Sequence, residues 1–248
     1  MSGAEGSLCE WLRDESLAVW ESLHEHPFLV ELAAGTLPPE KFRFYLEQNL
    51  MYLPEYSRTI AIGAARSRDD AELRSFGGAI DNIVRVEIPE NEAFLAQIVE
   101  LGAEDRGGAA EMAPGTLAYT SFLIAAAFKG GPLEVMTAIM PCAWSYGDIA
   151  RRLQGEAVDH PVYAKWLAFF ASDEYSELVE RMKAELDALA RREGTDPAHL
   201  SETFRNGARL ELGFWEMAYG LEQWPDAAAV AAPAQALATT REGTERNE

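Results

Sequence analysis

The chain has 248 residues, enough for one large domain with a substantial core, and its 48% hydrophobic and 25% charged residues exclude intrinsic disorder. Lysine plus arginine total 21 against 41 aspartate plus glutamate, a formal charge of −20, so a phosphate backbone or an anionic membrane surface would be repelled and no nucleic-acid or membrane partner is expected. No apolar run approaches the length of a membrane span, no export signal precedes the first apolar segment, and Cys9 and Cys142 lie far apart without disulfide spacing; the expected location is the cytoplasm and both thiols are expected to be free.

Apolar residues recur at helical spacing nearly everywhere, which predicts an all-α fold. In chain order the helices are expected near 6–24, 38–65, 69–102, 116–128, 132–154, 161–170, 173–192 and 197–222. Breaks fall at Gly35-Thr36-Leu37-Pro38, Arg106-Gly107-Gly108, Lys129-Gly130-Gly131-Pro132 and Gly194-Thr195-Asp196-Pro197, where glycine stops one helix and proline suits the start of the next. Pro54 and Pro89 should each kink a helix or start a new segment, because proline lacks the backbone donor and clashes with the preceding turn. Residues 1–224 read as one helical domain, and 225–248 as a mobile tail with little to bury. Only four of the 21 basic residues are lysines, a pattern that suits high salt or reflects an arginine-biased genome.

The informative positions are polar residues on helix faces that should be dry, since burying an unpaired polar group is costly. On the second long helix Asn49 shares its face with Tyr45, Leu46, Tyr52, Leu53 and Tyr56; an amide among tyrosines would suit a flat heteroaromatic ligand, or the amide simply bridges within the core. Glu87, with Ile80, Ile83, Val84, Asn91 and Phe94, is a buried carboxylate candidate that could orient the site or pair with a core arginine. Cys142 lies among Val135, Ala138, Ile139, Tyr146 and Ile149 on a helix apolar on most sides; it is an inert small hydrophobe by default, and a nucleophile if Tyr146 and a proton carrier meet it across a cavity. Glu211 falls on a stripe of Phe204, Ala208, Phe214, Trp215 and Ala218, where burial should raise its pKa toward the range useful for proton transfer; a buried arginine or tyrosine partner would instead make it structural.

His24, His26, His160 and His199 form no Glu-x-x-His or His-x-x-x-His pair, so no metal site is expected, and phosphate-loop, dinucleotide and nucleophile-elbow motifs are absent from the sequence.

Several ordered segments resemble those of one family: His26-Pro27-Phe28, the run Leu37 to Tyr45, Ala118-Tyr119-Thr120-Ser121, Met140-Pro141-Cys142-Ala143-Trp144-Ser145-Tyr146, His160 to Trp166, and Glu211 to Tyr219. Together they resemble the TenA, or thiaminase II, proteins from about residue 8 to 222, and the segments around Cys142 and Phe214-Trp215 are the specific ones. The resemblance implies a heme-oxygenase-like helical bundle, a homotetramer without cofactor, and thiamin-salvage hydrolysis of aminopyrimidines. It also implies that Cys142 adds to the pyrimidine ring and Glu211 moves protons, with Tyr52, Tyr119 and Tyr146 lining the pocket. Two positions depart from the best-known members: Asn49 stands where they carry an aspartate that grips the ring amine, and Phe170 where they carry a tyrosine. A hydrolase of another small amine or amide, or a non-catalytic binding or regulatory protein, are the alternative readings.

Overall fold

The computed structural model describes residues 7–154 and 159–225, and among them every regular element is helical. The tail expected over 225–248 therefore lies outside the described residues except for Pro225.

The elements are α1 (Leu8–Asp14), α2 (Leu17–His24), α3 (Pro27–Ala33), α4 (Pro39–Ala65), α5 (Asp70–Asn82), a π turn (Ile83–Glu87), α6 (Ile88–Glu100), α7 (Pro114–Lys129), α8 (Pro132–Leu153), α9 (Pro161–Phe170), α10 (Asp173–Glu193) and α11 (Pro197–Gly220). The starts carry local reasons. Ser7, Asp69, Ser172 and Asp196 accept backbone N–H groups at the caps of α1, α5, α10 and α11, and six helices place proline within the first two positions after a non-helical residue. Gly194 closes α10 in the left-handed conformation, at φ 61°.

Three expectations need correction. The helix read over 6–24 turns a corner at Glu15-Ser16, where Ser16 leaves the helical conformation at φ −115° and its carbonyl receives the N–H groups of Val19 and Trp20. Leu12 on α1 and Trp20 and Leu23 on α2 are all buried, so the corner keeps the apolar stripe on the core. The seven-residue α3 was not expected at all, although His26 caps it through Nδ1 ahead of Pro27, the same arrangement that starts α9 at His160-Pro161. Finally, the stretch 69–102 is not one helix: α5 widens into the π turn before α6. Pro89 has no N–H for the carbonyl of Arg85, and the wider turn takes up the mismatch just before it. Pro54, by contrast, leaves α4 as one element, held on both sides of the proline by buried Leu53, Tyr56 and Ile60.

Helices α4, α7, α8 and α11 pack against one another as the centre; α5, the π turn and α6 lie along α4, and α9 and α10 along α8. A knot of aromatic rings fills the middle. Trp215 of α11 lies 5.2 Å from both Tyr45 of α4 and Tyr146 of α8, and the Tyr45 hydroxyl donates to that of Tyr146 at 3.3 Å while accepting the Trp166 indole N–H at 3.3 Å. Among the described residues no helix is long and apolar enough to cross a membrane.

The closest approach of α8 and α11 sets the site. A Cβ at Gly207 would lie 3.0 Å from the Pro141 ring and 3.1 Å from the Ala138 carbonyl oxygen, so only glycine allows this separation. Gly207 lies one turn before Glu211, and Pro141 directly before Cys142. Gly207→Ala should therefore destabilise the fold by about 1–3 kcal/mol in spite of alanine's better helix propensity. A urea midpoint equal to or above that of the unchanged protein would show that the two helices can separate freely.

Candidate active site

Within α8 the stretch 135–147 is buried at every position but Cys142, which keeps partial accessibility. That accessibility is toward a narrow internal cavity of about 30 Å³, lined by Cys142 and Ala143 of α8, Leu53, Tyr56 and Ile60 of α4, Ala79 and Asn82 of α5, Ile83 and Glu87 of the π turn, and Tyr175, Leu178 and Met182 of α10. An open cleft of about 710 Å³ lies between α5 and α10 and reaches Met136 and Ile139 of α8, and Ala79, Asn82, Leu178 and Met182 line both spaces. The inner volume exceeds the roughly 10–15 Å³ that one water needs but is far below the roughly 300–1,000 Å³ usual for ligand sites.

Glu211 is 1% exposed on α11, with the Tyr119 hydroxyl of α7 donating to its Oε2 at 2.9 Å. Burial raises its pKa from an ordinary 4.5 to about 7, against the opposing pull of hydrogen bonds from Tyr119 and Cys142. The Cys142 thiol is pushed well up by burial and by the neighbouring Glu211 and Glu87 carboxylates, and is eased back by Tyr52. The resting sulfur is thus a neutral thiol against a carboxylate that can exist in either state near neutral pH. Such a pair suits transfer of the thiol proton to Glu211 as the sulfur attacks, rather than a standing thiolate.

Around the pair the aromatic rings form a connected cluster, of which Tyr56 reaches the cavity. Tyr52 lies 5.0 Å from the Tyr119 ring, 5.5 Å from Tyr56 and 5.6 Å from Phe214, and its buried hydroxyl meets the full geometry of a hydrogen bond with no described residue. The Tyr56 hydroxyl donates to the Ile139 carbonyl, leaving its ring on the cavity.

Of the residues singled out from the sequence, Cys142, Glu211, Tyr52 and Tyr119 form one connected group, and Glu87 joins Cys142 on the cavity. Tyr146 sits one turn from Cys142 but its hydroxyl is engaged by Tyr45, and Phe170 packs on Tyr146 at 4.8 Å and on Tyr175 at 5.1 Å, behind the cavity wall. Asn49 does not line the cavity: its Nδ2 donates to Asn91 Oδ1 at 3.0 Å, and Asn91 donates in turn to the backbone carbonyl of Glu87 at 2.8 Å. Glu87 has no arginine partner, and among the described residues its carboxylate has neither a hydrogen-bond donor nor an ion pair; burial alone moves its pKa up, to about 7.

Tyr175 is the lining residue that the sequence did not announce. Its hydroxyl donates to the Ala143 carbonyl at 3.1 Å, pinning α10 to α8 beside Cys142, and a Cβ at Gly147 would lie 3.3 Å from its ring. In the sequence it is one more aromatic at core spacing with Val179, Met182 and Leu186, so nothing marked it. Asn82, just before the π turn, was equally silent.

With this geometry in place, the comparisons with known proteins are specific. The model of the TENA/THI-4/PQQC family matches residues 13–221. An aminopyrimidine aminohydrolase of Halalkalibacterium halodurans is 34% identical over 216 residues, 86% of this chain and 96% of that protein. A TenA homologue from P. horikoshii OT3 superposes with a TM-score of 0.76 at 32% identity, covering 86% of this chain and 99% of the other. A domain with a heme oxygenase-like fold from Shewanella denitrificans OS217 covers 88% of this chain and 94% of its own at a TM-score of 0.65 and 13% identity, a likeness of fold alone. The all-helical, heme-oxygenase-like architecture expected from the sequence is the one observed.

Two carboxylates whose folded pKa lies above the ordinary value bind more protons in the folded than in the unfolded chain between about pH 4.5 and 7. Stability should therefore fall as pH rises through that window, by on the order of 3 kcal/mol from Glu211 alone. Denaturant titrations at pH 5 and pH 8 should show the loss, and Glu211→Gln should reduce it; an unchanged pH slope in the variant would mean that Glu211 is not held with a raised pKa.

Proposed function

The chain belongs to the TENA/THI-4/PQQC family, and on that premise we propose that it is a thiamin-salvage hydrolase of the aminopyrimidine aminohydrolase, or thiaminase II, type, with Cys142 as nucleophile and Glu211 as its acid and base. The observation that carries the reading is the connected Cys142–Glu211–Tyr119 group, in which Cys142 reaches a cavity also lined by Tyr56 and Tyr175.

The chemistry follows from where the protons sit. Glu211 takes the thiol proton as Cys142 Sγ bonds to a carbon of the aminopyrimidine ring, and Glu211 then supplies that proton to a ring nitrogen. The adduct is no longer aromatic. Its ring electrons expel the substituent on the adjoining methylene, leaving an exocyclic carbon–carbon double bond. Water adds to that carbon, the sulfur departs, and aromaticity returns with the thiol re-formed. One nucleophile and one proton carrier serve both halves, and Tyr119 holds the carboxylate oriented throughout.

In this reading Tyr52, beside the Cys142 sulfur, and its ring neighbour Tyr119 contact the substrate, while Tyr146 and Phe170 support the site from outside the cavity lining. Asn49, a neutral residue where the resemblance led one to expect a carboxylate, is tied through Nδ2 to Asn91 outside the cavity lining, and in this reading it acts by holding the Glu87 backbone through Asn91. Glu87 supplies a further carboxylate on the cavity. We place the protein in the cytoplasm, in keeping with two free cysteines, and expect a homotetramer, which light scattering of the purified chain would read directly.

Cys142→Ala should abolish ammonia release from a 5-aminomethyl-4-aminopyrimidine while changing stability by no more than about 2 kcal/mol. Glu211→Gln should lower kcat by roughly 10²–10⁴-fold, the usual scale for a lost proton carrier. Undiminished turnover in Cys142→Ala would rule out covalent catalysis by this residue, and failure of the unchanged protein to act on any aminopyrimidine would point to a different small amine or amide.

A further inference from the structure

Glu87 has no assigned partner in the fold, and its position gives it a specific one in the substrate. It projects from the π turn that joins α5 to α6, and its backbone is fixed there by the Asn49–Asn91 ladder, which ends on the Glu87 carbonyl oxygen. A π turn adds a residue to the helical circuit, and here the turn presents the Glu87 side chain to the same cavity as Cys142. No lysine, arginine or histidine lines that cavity, and Glu211 is already committed to Tyr119 and Cys142. The Glu87 carboxylate, half-buried against the cavity, gains from no described residue an interaction that would offset its desolvation. The fitting partner is a cation that arrives with the ligand.

Resting on the hydrolase reading above, we propose that Glu87 receives the aminomethyl substituent of the substrate as its ammonium form, so that this chain selects substrates whose leaving group is cationic. The leaving-group chemistry gives the contact a purpose. In the sulfur adduct the methylene carbon–nitrogen bond breaks with its electron pair going to nitrogen, so a nitrogen that is already ammonium departs as neutral ammonia. An unprotonated amine would have to depart as an amide anion. A carboxylate at hydrogen-bond reach keeps that proton on nitrogen until the bond breaks. Water then adds to the exocyclic carbon, and its released proton converts the ammonia to ammonium. The balance is ammoniomethylpyrimidine plus water giving hydroxymethylpyrimidine plus ammonium, with the thiol restored and no oxidant or reductant involved.

The same contact explains how a chain with a neutral Asn49 can still hold an amine-bearing pyrimidine firmly. The charge has a place in the cavity, but on the wall that faces the substituent rather than at the ring amine. A formylated aminomethyl group, which is neutral, would gain only an ordinary hydrogen bond there.

The test compares 5-aminomethyl- and 5-formamidomethyl-4-amino-2-methylpyrimidine as substrates of the full-length protein, following KM and kcat separately. In the unchanged protein KM for the ammonium compound should be lower by about tenfold or more, the factor that separates charged from neutral hydrogen bonds. Glu87→Gln should erase that preference by raising KM for the ammonium compound about tenfold more than for the formamide, and Glu87→Asp should restore part of it. Glu87→Gln should fold, because it keeps the side chain's shape and removes a half-buried charge that no described residue pairs with; the preference in the unchanged protein is scored in any case. Equal effects on the two substrates, or no preference in the unchanged protein, would overturn the assignment of Glu87. Turnover of neither pyrimidine by the unchanged protein would instead refute the hydrolase reading, and the assignment would fall with it.

Discussion

The contact between α8 and α11 at Pro141 and Gly207 is the constraint on which the site depends. Proline and glycine are the poorest residues for a helix interior, yet each sits in the middle of a long, buried helix at the point where the two meet. The absence of a Cβ at Gly207 lets the backbones come together, and the following turn of each helix then carries Cys142 and Glu211 toward the same space. The stacking of Trp215 on Tyr45 and against Tyr146 fixes the rotation of α11 about its axis, so that Glu211 points inward. Helix geometry and aromatic packing therefore position the reactive pair together.

That position is costly. Two carboxylates, Glu211 in the interior and the half-buried Glu87 on the cavity, have no cationic partner among the described residues, and a thiol lies near both. In a purely structural role the carboxylate would be met by an arginine, as Arg43 meets Glu47 at 2.8 Å elsewhere on α4. Here the compensation is partial: Tyr119 donates one hydrogen bond to Glu211, and the remaining cost appears as raised pKa values. The large aromatic core, including buried Trp166, Trp215, Tyr45 and Phe204, supplies the surplus stability that makes such a site tolerable.

The sequence disclosed the parts of this arrangement that obey a period. Glu211 stood out because it interrupts an apolar stripe with spacings of three and four, and α9 and α11 begin at prolines that proline chemistry places at helix starts. The corner between α1 and α2 was hidden, because two residues of irregular backbone do not break a periodic pattern. Helix α3 was hidden because seven residues are too few to show one. The π turn shifts the phase of the stretch 69–102, and it gives Glu87 a place that no uniform helical wheel predicts. Asn49 illustrates the opposite limit: its polarity on a dry face was plain, but whether the amide met a ligand or another side chain depended on Asn91, whose alignment with it is a matter of tertiary structure. Tyr175 could not have been chosen from several tyrosines until α10 was seen against α8.

The central claim is that Glu211 controls the nucleophilicity of Cys142 by taking its proton. The direct measurement is the rate at which iodoacetamide alkylates Cys142, followed by peptide-resolved mass spectrometry across pH 5–9, with buried Cys9 as the internal reference. The account predicts a rate that rises through about pH 7, the value set by the burial of Glu211, and a Glu211→Gln protein in which that inflection is gone. A Cys142 rate that climbs only above the ordinary thiol range, with the same profile in Glu211→Gln, would contradict it.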